Sequence, residues 1–136
     1  MKNSILAIAL LATAIISAQE FKLEIEVNGF KNNNGKAKIN LYNTQESFMK
    51  KGIKSVKTVL KNNKTYAVFT DLPKGIYAVS MFHDENGNGE IDTNFIGIPT
   101  EGYGTSNDAK GFMGPPKYED AKFELVANRK MVINIQ

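Results

Sequence analysis

The sequence lacks cysteine and tryptophan and has a single histidine, His83. Without cysteine, thiol nucleophiles, redox dithiols and cysteine zinc sites are excluded. Without a second histidine, and with no serine in a nucleophile-elbow setting, no catalytic constellation is evident. The absence of tryptophan also weakens the case for sugar stacking. We therefore expect a protein that is not an enzyme.

Long apolar runs are also scarce, and the one that exists lies at the N-terminus, from Ile5 to Ile16. It is shorter than the roughly 18 to 20 residues that a membrane-spanning helix needs. Lys2 precedes it and the small residue Ala18 follows it, which is the pattern of a secretory signal peptide. We expect residues 1–18 to be cleaved, leaving a periplasmic or secreted protein with no stable membrane insertion.

Residues 19–136 are enough for one domain, which must pack without disulfides. The full chain has a formal net charge of +3, unevenly spread. A basic stretch comprises Lys50, Lys51, Lys54, Lys57, Lys61 and Lys64, and an acidic stretch comprises Asp71, Asp84, Glu85, Glu90, Asp92 and Glu101. The lysines favour edge-strand protection over a polyanion patch. Nucleic-acid binding is not expected, because no recognition motif accompanies the small net charge.

Alternation of apolar and polar residues is the dominant pattern, and it predicts strands. The predicted strands are "FKLEIEV", "KAKINLY", "IKSVKTVL", "TYAVFT", "GIYAVSMF", "YEDAKFELV" and "KMVINIQ". Asn34-Gly35 predicts a hairpin turn between the first two strands, and "TQESFMKK" a single helical turn. About seven strands with almost no helix predict an all-β fold, a single antiparallel two-sheet β-sandwich of immunoglobulin-like or transthyretin-like type.

The segment "DENGNGEID", residues 84–92, matches a calcium-binding loop pattern. Oxygen-bearing side chains recur at alternate positions of a tight loop, as Ca²⁺ requires. Ile91 is expected to pin the loop to the core, and Gly89 to permit the sharp turn. The predicted ligands are the side chains of Asp84, Asn86, Asn88 and Asp92, the main-chain carbonyl of Glu90, and Glu101.

This loop departs from an EF-hand, because Phe95 stands where that motif has a bidentate Glu. Glu101 is the candidate to supply the last carboxylate. With so few carboxylates the expected Ca²⁺ affinity is weak, on the order of 10⁻⁴ to 10⁻³ M. The alternative is a plain polar turn, since Asn86-Gly87 and Asn88-Gly89 are also favoured turn dipeptides.

Two other hypotheses concern the neighbours of this loop. His83 is expected to point inward at a strand end and to form a supporting hydrogen bond; a small metal-dependent hydrolase would instead use His83, Asp84 and Asp92. The connection 96–117 is long for a small domain. Its aromatic residues, Tyr103, Phe112 and Tyr118, would either bury the loop or bind an envelope glycan, peptide or protein.

Four motifs, "DLPKGIYAV", "HDENGNGEID", "GIPTEGYGTSN" and "PPKYEDAKF", resemble the bacterial domain-of-unknown-function 2141 family. The family pattern has Phe at the position of Tyr118. The resemblance spans nearly all of residues 19–136. It implies an exported β-sandwich similar to transthyretin-like or carboxypeptidase-regulatory-like domains, and it implies no particular activity.

Overall fold

The structure is a computed structural model that describes residues 18–136. The predicted signal peptide therefore lies outside the described residues, except for Ala18. Eight strands are present: β1 Glu20–Asn28, β2 Lys36–Tyr42, β3 Lys54–Thr58, β4 Lys64–Pro73, β5 Gly75–Asp84, β6 Tyr103–Thr105, β7 Phe123–Leu125 and β8 Arg129–Asn134. A 3-10 turn, Ser106–Asp108, and a short helix α1, Tyr118–Ala121, complete the elements. No helix in this part of the chain is long and apolar enough to span a membrane.

The strands form two sheets, so the predicted all-β sandwich is confirmed. One sheet has the order β4-β1-β8; the other has the order β3-β2-β5-β6, with β7 also paired to β5. All pairs are antiparallel except β1 and β8, which run parallel. β1 begins opposite the end of β4, and β8 begins after β7 has ended opposite the start of β5. Both strands therefore start at the same end of the sandwich.

Alternation along the strands builds the core between the sheets. The inward side chains that share this core include Leu23, Ile25, Val27, Ile39, Leu41, Ala67, Phe69, Tyr77, Val79, Met81, Phe123, Leu125 and Ile133, all buried. These residues alternate with exposed or half-buried neighbours in β1, β2 and β4, because successive side chains of a strand point to opposite faces.

β5 is buried on both faces, because a second, smaller cluster covers the outside of its sheet. This cluster comprises Tyr42, Phe48, Ala78, Ala109 and Ala121, with Tyr118 packed against it. The ring of Phe48 meets those of Tyr42 and Tyr118 edge-on, with centroids 5.3 and 5.7 Å apart. Phe48 comes from the segment predicted to be a single helical turn, which forms hydrogen-bonded turns that include one i→i−4 bond, from the Lys51 N–H to the Ser47 carbonyl.

Ser106 holds the connection after β6 against β5 and α1. Its hydroxyl accepts a hydrogen bond from the Val79 N–H (3.0 Å) and donates to the Ala121 carbonyl (2.6 Å). The neighbouring Asn107 side chain donates to the carbonyls of Asp120 and Lys122. Side chains of this short turn therefore hydrogen-bond main-chain groups of β5 and of the α1 segment, where no regular strand pairing is present.

Three predictions about elements were wrong. Asn34-Gly35 does not form a hairpin, because β1 and β2 belong to different sheets and the chain crosses between them. "YEDAKFELV" is not one strand, since its first half forms α1 and only Phe123–Leu125 is extended. The third error is the omission of β6, which is only three residues long and lies within the connection expected to be a loop.

Candidate functional site

The loop 84–92 begins at the last residue of β5, where Asp84 pairs with Lys36 of β2. Gly35 makes this junction close: a Cβ built on it would lie 2.0 Å from the Asp84 carbonyl oxygen, and its φ is +63°. No other residue fits such an approach in this conformation without a backbone shift. The Asn34-Gly35 dipeptide therefore positions the base of the loop.

Within the loop, side-chain oxygens accept hydrogen bonds from main-chain N–H groups. Asp84 Oδ2 accepts a hydrogen bond from the Gly89 N–H at 2.8 Å. Asn86 Oδ1 accepts from the Asn88 N–H (3.1 Å), and Asn88 Oδ1 from the Glu90 N–H (3.0 Å). Gly89 has a φ of +80°, so its predicted role in the turn is confirmed. These three hydrogen bonds fix the turns of the loop.

Three of the predicted ligand side chains converge at the far side of the loop. The carboxamide nitrogens of Asn86 and Asn88 both donate to the Asp92 carboxylate, one to each oxygen. The Asn88 contact is 2.6 Å. The spacing in sequence therefore does bring positions 86, 88 and 92 together in space.

Glu101 is also brought to the loop, sixteen residues after Glu85. Its side chain is buried, with 7% of its surface exposed. One carboxylate oxygen accepts from the Glu85 N–H at 2.8 Å, and the other accepts from the Asp92 N–H at 2.9 Å. Glu101 thus links the two ends of the loop through hydrogen bonds, whereas the sequence analysis predicted it as a metal ligand, a role that stays a prediction.

Asp84 differs from every other carboxylate in the loop. It is only 5% exposed, and its Oδ1 has no hydrogen-bond partner among the described residues. A buried oxygen of this kind carries an uncompensated desolvation penalty of roughly 1–3 kcal/mol, more when it is charged. Among the buried carboxylate oxygens of Asp84 and Glu101, Oδ1 of Asp84 is therefore the one without a hydrogen bond in the described part of the chain.

Two expectations about the loop need correction or restriction. Ile91 does not pin the loop to the core, since its side chain is 37% exposed and Glu101 performs the anchoring. Within residues 18–136, no three His, Cys, Asp or Glu side chains form a group that could hold a metal ion by themselves. An ion in the loop would therefore have to use carboxamide or main-chain oxygens as well. The role of the Glu90 carbonyl stays a prediction.

His83 points inward, as predicted, and is almost fully buried. Its Nε2 lies 2.5 Å from the Asn34 carbonyl oxygen, and the edge of its ring packs on Phe30. A 130 Å³ cavity beside it is lined by His83, Glu85 and Glu101, among others, but not by Asp84 or Asp92. The structure therefore does not gather the three residues of the hydrolase hypothesis around one cavity.

The connection after the loop is ordered by a residue that sequence reasoning missed, Asn94. Its side-chain oxygen accepts from the N–H groups of Ile96 and Ile98, and Thr93 bridges to Pro99. The resulting turn exposes Phe95 completely. An Asn two residues before an N–H donor is a recognised turn signal, which makes Asn94 discoverable from sequence.

The three aromatic residues of this connection behave differently from one another. Tyr103 is half-buried in β6, and Tyr118 packs on Phe48, so both help to bury the connection. Phe112 is 93% exposed. Tyr103 and Phe112 therefore do not line one cavity, and the glycan- or peptide-binding role of residues 96–117 stays a prediction.

The fold and the loop define a class: a small β-sandwich whose second sheet carries a hydrogen-bonded polar loop at one end. A family model described as "uncharacterized protein conserved in bacteria (DUF2141)" matches residues 25–134. The chain belongs to this family, as the resemblance implied. No curated protein and no solved structure matched the chain.

Proposed function

We propose that this protein is an exported, non-catalytic β-sandwich module whose loop 84–92 binds one Ca²⁺ ion weakly. The ion would hold the loop and the adjoining connection in one shape, so that a constant surface is presented. The observation that carries the proposal is the unpartnered Oδ1 of Asp84, buried at the first position of the loop. A cation is the partner that a buried, charged oxygen needs.

The other side-chain oxygens of the loop would complete the coordination of the same ion. Each carboxamide oxygen of Asn86 and Asn88 accepts one main-chain N–H and retains a second lone pair. Asp92 would exchange its two amide hydrogen bonds for contact with the cation. Ca²⁺ suits this set better than Mg²⁺, because it accepts six to eight oxygens in flexible geometry.

Weak binding follows from the charges available. Glu101 already serves two main-chain N–H groups, which leaves Asp84 and Asp92 as the principal anionic ligands. Such a site belongs with extracellular calcium modules, whose dissociation constants are on the order of 10⁻⁴ to 10⁻³ M. Export, proposed from the N-terminal leader pattern, would place the protein where calcium reaches such concentrations.

Thermal unfolding in EDTA and in millimolar Ca²⁺ tests the proposal. A site of about 0.1 mM in about 2 mM Ca²⁺ adds nearly 2 kcal/mol to the free energy of unfolding, which is several degrees of Tm. Asp84→Asn should abolish the shift. Asp120→Asn, which removes an exposed carboxylate outside the loop, should retain it. Absence of a shift in the wild type at 10 mM Ca²⁺, or an equal shift in Asp84→Asn, would contradict the proposal.

A further inference from the structure

A second candidate binding feature lies where the edge strands β3 and β4 meet, outside the loop 84–92. β3 and β4 are edge strands of different sheets, and residues 59–63 carry the chain from one to the other. An open groove of about 680 Å³ lies at this crossing. Its lining residues are Lys57, Thr58, Val59, Lys61, Asn62, Lys64, Thr65 and Tyr66. We refer to it as the β3–β4 groove.

The β3–β4 groove is strongly basic. Three of its eight lining residues are lysines, and none is acidic. Only Lys64 has an ion-pair partner among the described residues, at 3.5 Å from Glu26. Lys57 stands directly opposite Lys38 on β2, a like-charge pair that disfavours the sheet. The positive charge here is therefore largely uncompensated within the protein.

The groove also exposes apolar surface among its lysines. Tyr66 is 64% exposed and Val59 is 73% exposed. Edge protection accounts for lysines at this position but not for a tyrosine ring and a valine beside them, since exposed apolar groups at an edge promote aggregation. The combination is complementary to a ligand that offers both anionic groups and a flat apolar face.

The floor of the groove is well ordered. Thr65 is buried, and its hydroxyl lies 2.6 Å from the Thr58 hydroxyl and 2.9 Å from the Val59 carbonyl oxygen. The turn above it is closed by reciprocal hydrogen bonds between Lys61 and Lys64 main-chain groups, at 3.0 and 3.1 Å. The main chain that carries the lysines and the tyrosine is therefore fixed before a ligand arrives, which lowers the entropy cost of binding.

From this arrangement we propose that the β3–β4 groove binds an anionic polysaccharide. Carboxylate or sulfate groups would contact Lys57 and Lys61, and one sugar face would lie on the Tyr66 ring. Thr58 and Asn62 provide hydrogen-bonding groups for sugar hydroxyls. The open shape suits a chain that passes through. One aromatic ring gives no platform for successive stacked bases, which disfavours single-stranded nucleic acid.

Calorimetric titration of the purified protein with polygalacturonate tests this site, with dextran as the neutral polysaccharide. The groove variant is Lys57→Gln/Lys61→Gln. Its matched control, Lys50→Gln/Lys51→Gln, removes the same charge from the same basic stretch but outside the groove. Tyr66→Ser tests the ring, and Val68→Ser, on the exposed face of the same strand, is its control.

The groove variant should bind polygalacturonate about tenfold more weakly, because it loses two exposed charge contacts that are each weak on their own. Tyr66→Ser should also weaken binding, while both controls stay within twofold of the wild type and dextran does not bind. Equal weakening by the two lysine pairs would show attraction by net charge and overturn the groove. Undetectable binding of polygalacturonate at low salt, or tighter binding of poly-glutamate or oligothymidylate, would also overturn the proposal.

Discussion

Asp84 and Glu101 are both buried carboxylates that serve the same loop, and they are satisfied to different degrees. Both oxygens of Glu101 accept main-chain N–H groups, whereas Oδ1 of Asp84 accepts none within the described residues. A buried carboxylate with both oxygens hydrogen-bonded stabilises the loop without a metal ion, whereas a buried oxygen without a partner has a desolvation cost that nothing offsets. The two residues should therefore respond in opposite ways to neutralisation.

We expect Glu101→Gln to lower the free energy of unfolding in EDTA by about 1–3 kcal/mol, because its amide group would face a main-chain N–H donor. Asp84→Asn should leave the free energy unchanged or raise it in the same buffer, since a neutral group replaces a buried carboxylate whose Oδ1 has no partner within residues 18–136, and the carboxamide oxygen can keep the Gly89 hydrogen bond. Urea unfolding measures both, with the exposed Glu46→Gln as control. Equal losses in the two variants would show that Asp84 is compensated in the absence of metal.

Sequence reasoning at this scale succeeded where the relevant residues lie within one loop. Asn86, Asn88 and Asp92 converge because their spacing alone sets their positions on a tight turn. Which oxygens of Asp84 and Glu101 receive hydrogen bonds depends on how the loop 84–92 packs against the segment that contains Glu101. Spacing carries no such information, so Ile91 was assigned the anchoring role that Glu101 performs.

At the level of elements, β5 owes its burial on both faces to the cluster around Tyr42. This ring is almost fully buried, and its hydroxyl hydrogen-bonds Ser80 at 2.8 Å. Burial raises the pKa of Tyr42 above its usual value, an effect larger than the opposing contribution of the hydrogen bond. Burial also raises the pKa of Tyr77, in the same strand as Ser80.

These pKa shifts predict a loss of stability in alkaline solution. A tyrosine whose pKa is higher in the folded state ionises first in the unfolded state, so its contribution is complete at neutral pH and is lost above about pH 10. Tm measured between pH 7 and pH 11 should fall more steeply for the wild type than for Tyr42→Phe. Parallel curves for the two proteins would contradict this assignment.

Strands were predictable wherever alternation was long. β1, β2 and β4 each have five or more alternating positions, and each was found as a strand, although β4 extends three residues beyond its predicted end. β5, which is buried on both faces, was found from its apolar run. β6 and β7 are three residues each and lie beside a 3-10 turn and a helix, where no period can be established. The hydrogen bonds of Ser106 and Asn107 compensate there for the shortness of the strands.

In the whole molecule, the two sheets approach each other closely at Gly104 of β6. A Cβ built on Gly104 would lie 2.7 Å from Cγ2 of Ile133, in β8 of the opposite sheet. Ile133 is completely buried in the core. The absence of a side chain at position 104 therefore sets the separation of the sheets at this point.

Gly104→Ala should destabilise the protein by about 1–3 kcal/mol through overpacking. Ile133→Ala alone should cost about 2–5 kcal/mol through its cavity. The double variant should lose less than the sum of the two, because the added methyl occupies space that Ile133 has left. Gly114→Ala is the control, since a Cβ there has no neighbour within 4 Å. Simple additivity in urea unfolding would argue against this contact.

Sheet membership was the feature of the whole fold that sequence could not supply. Asn-Gly at positions 34 and 35 signals a hairpin turn with positive φ at both residues, but only Gly35 has a positive φ here, and the chain crosses between the sheets. The parallel pair of β1 and β8 joins strands from opposite ends of the chain, so no short-range pattern encodes it.

Because β1 pairs with β8, the first strand of the domain cannot complete its hydrogen bonds before the last strand has been made. β1 is the central strand of its sheet, and one of its two edges is covered only by β8. In a polypeptide that is synthesised or translocated N-terminus first, β1 is therefore complete before its partner β8 is available. Until Arg129–Asn134 is available, the β4-β1-β8 sheet lacks its last strand and β1 has one unpaired edge.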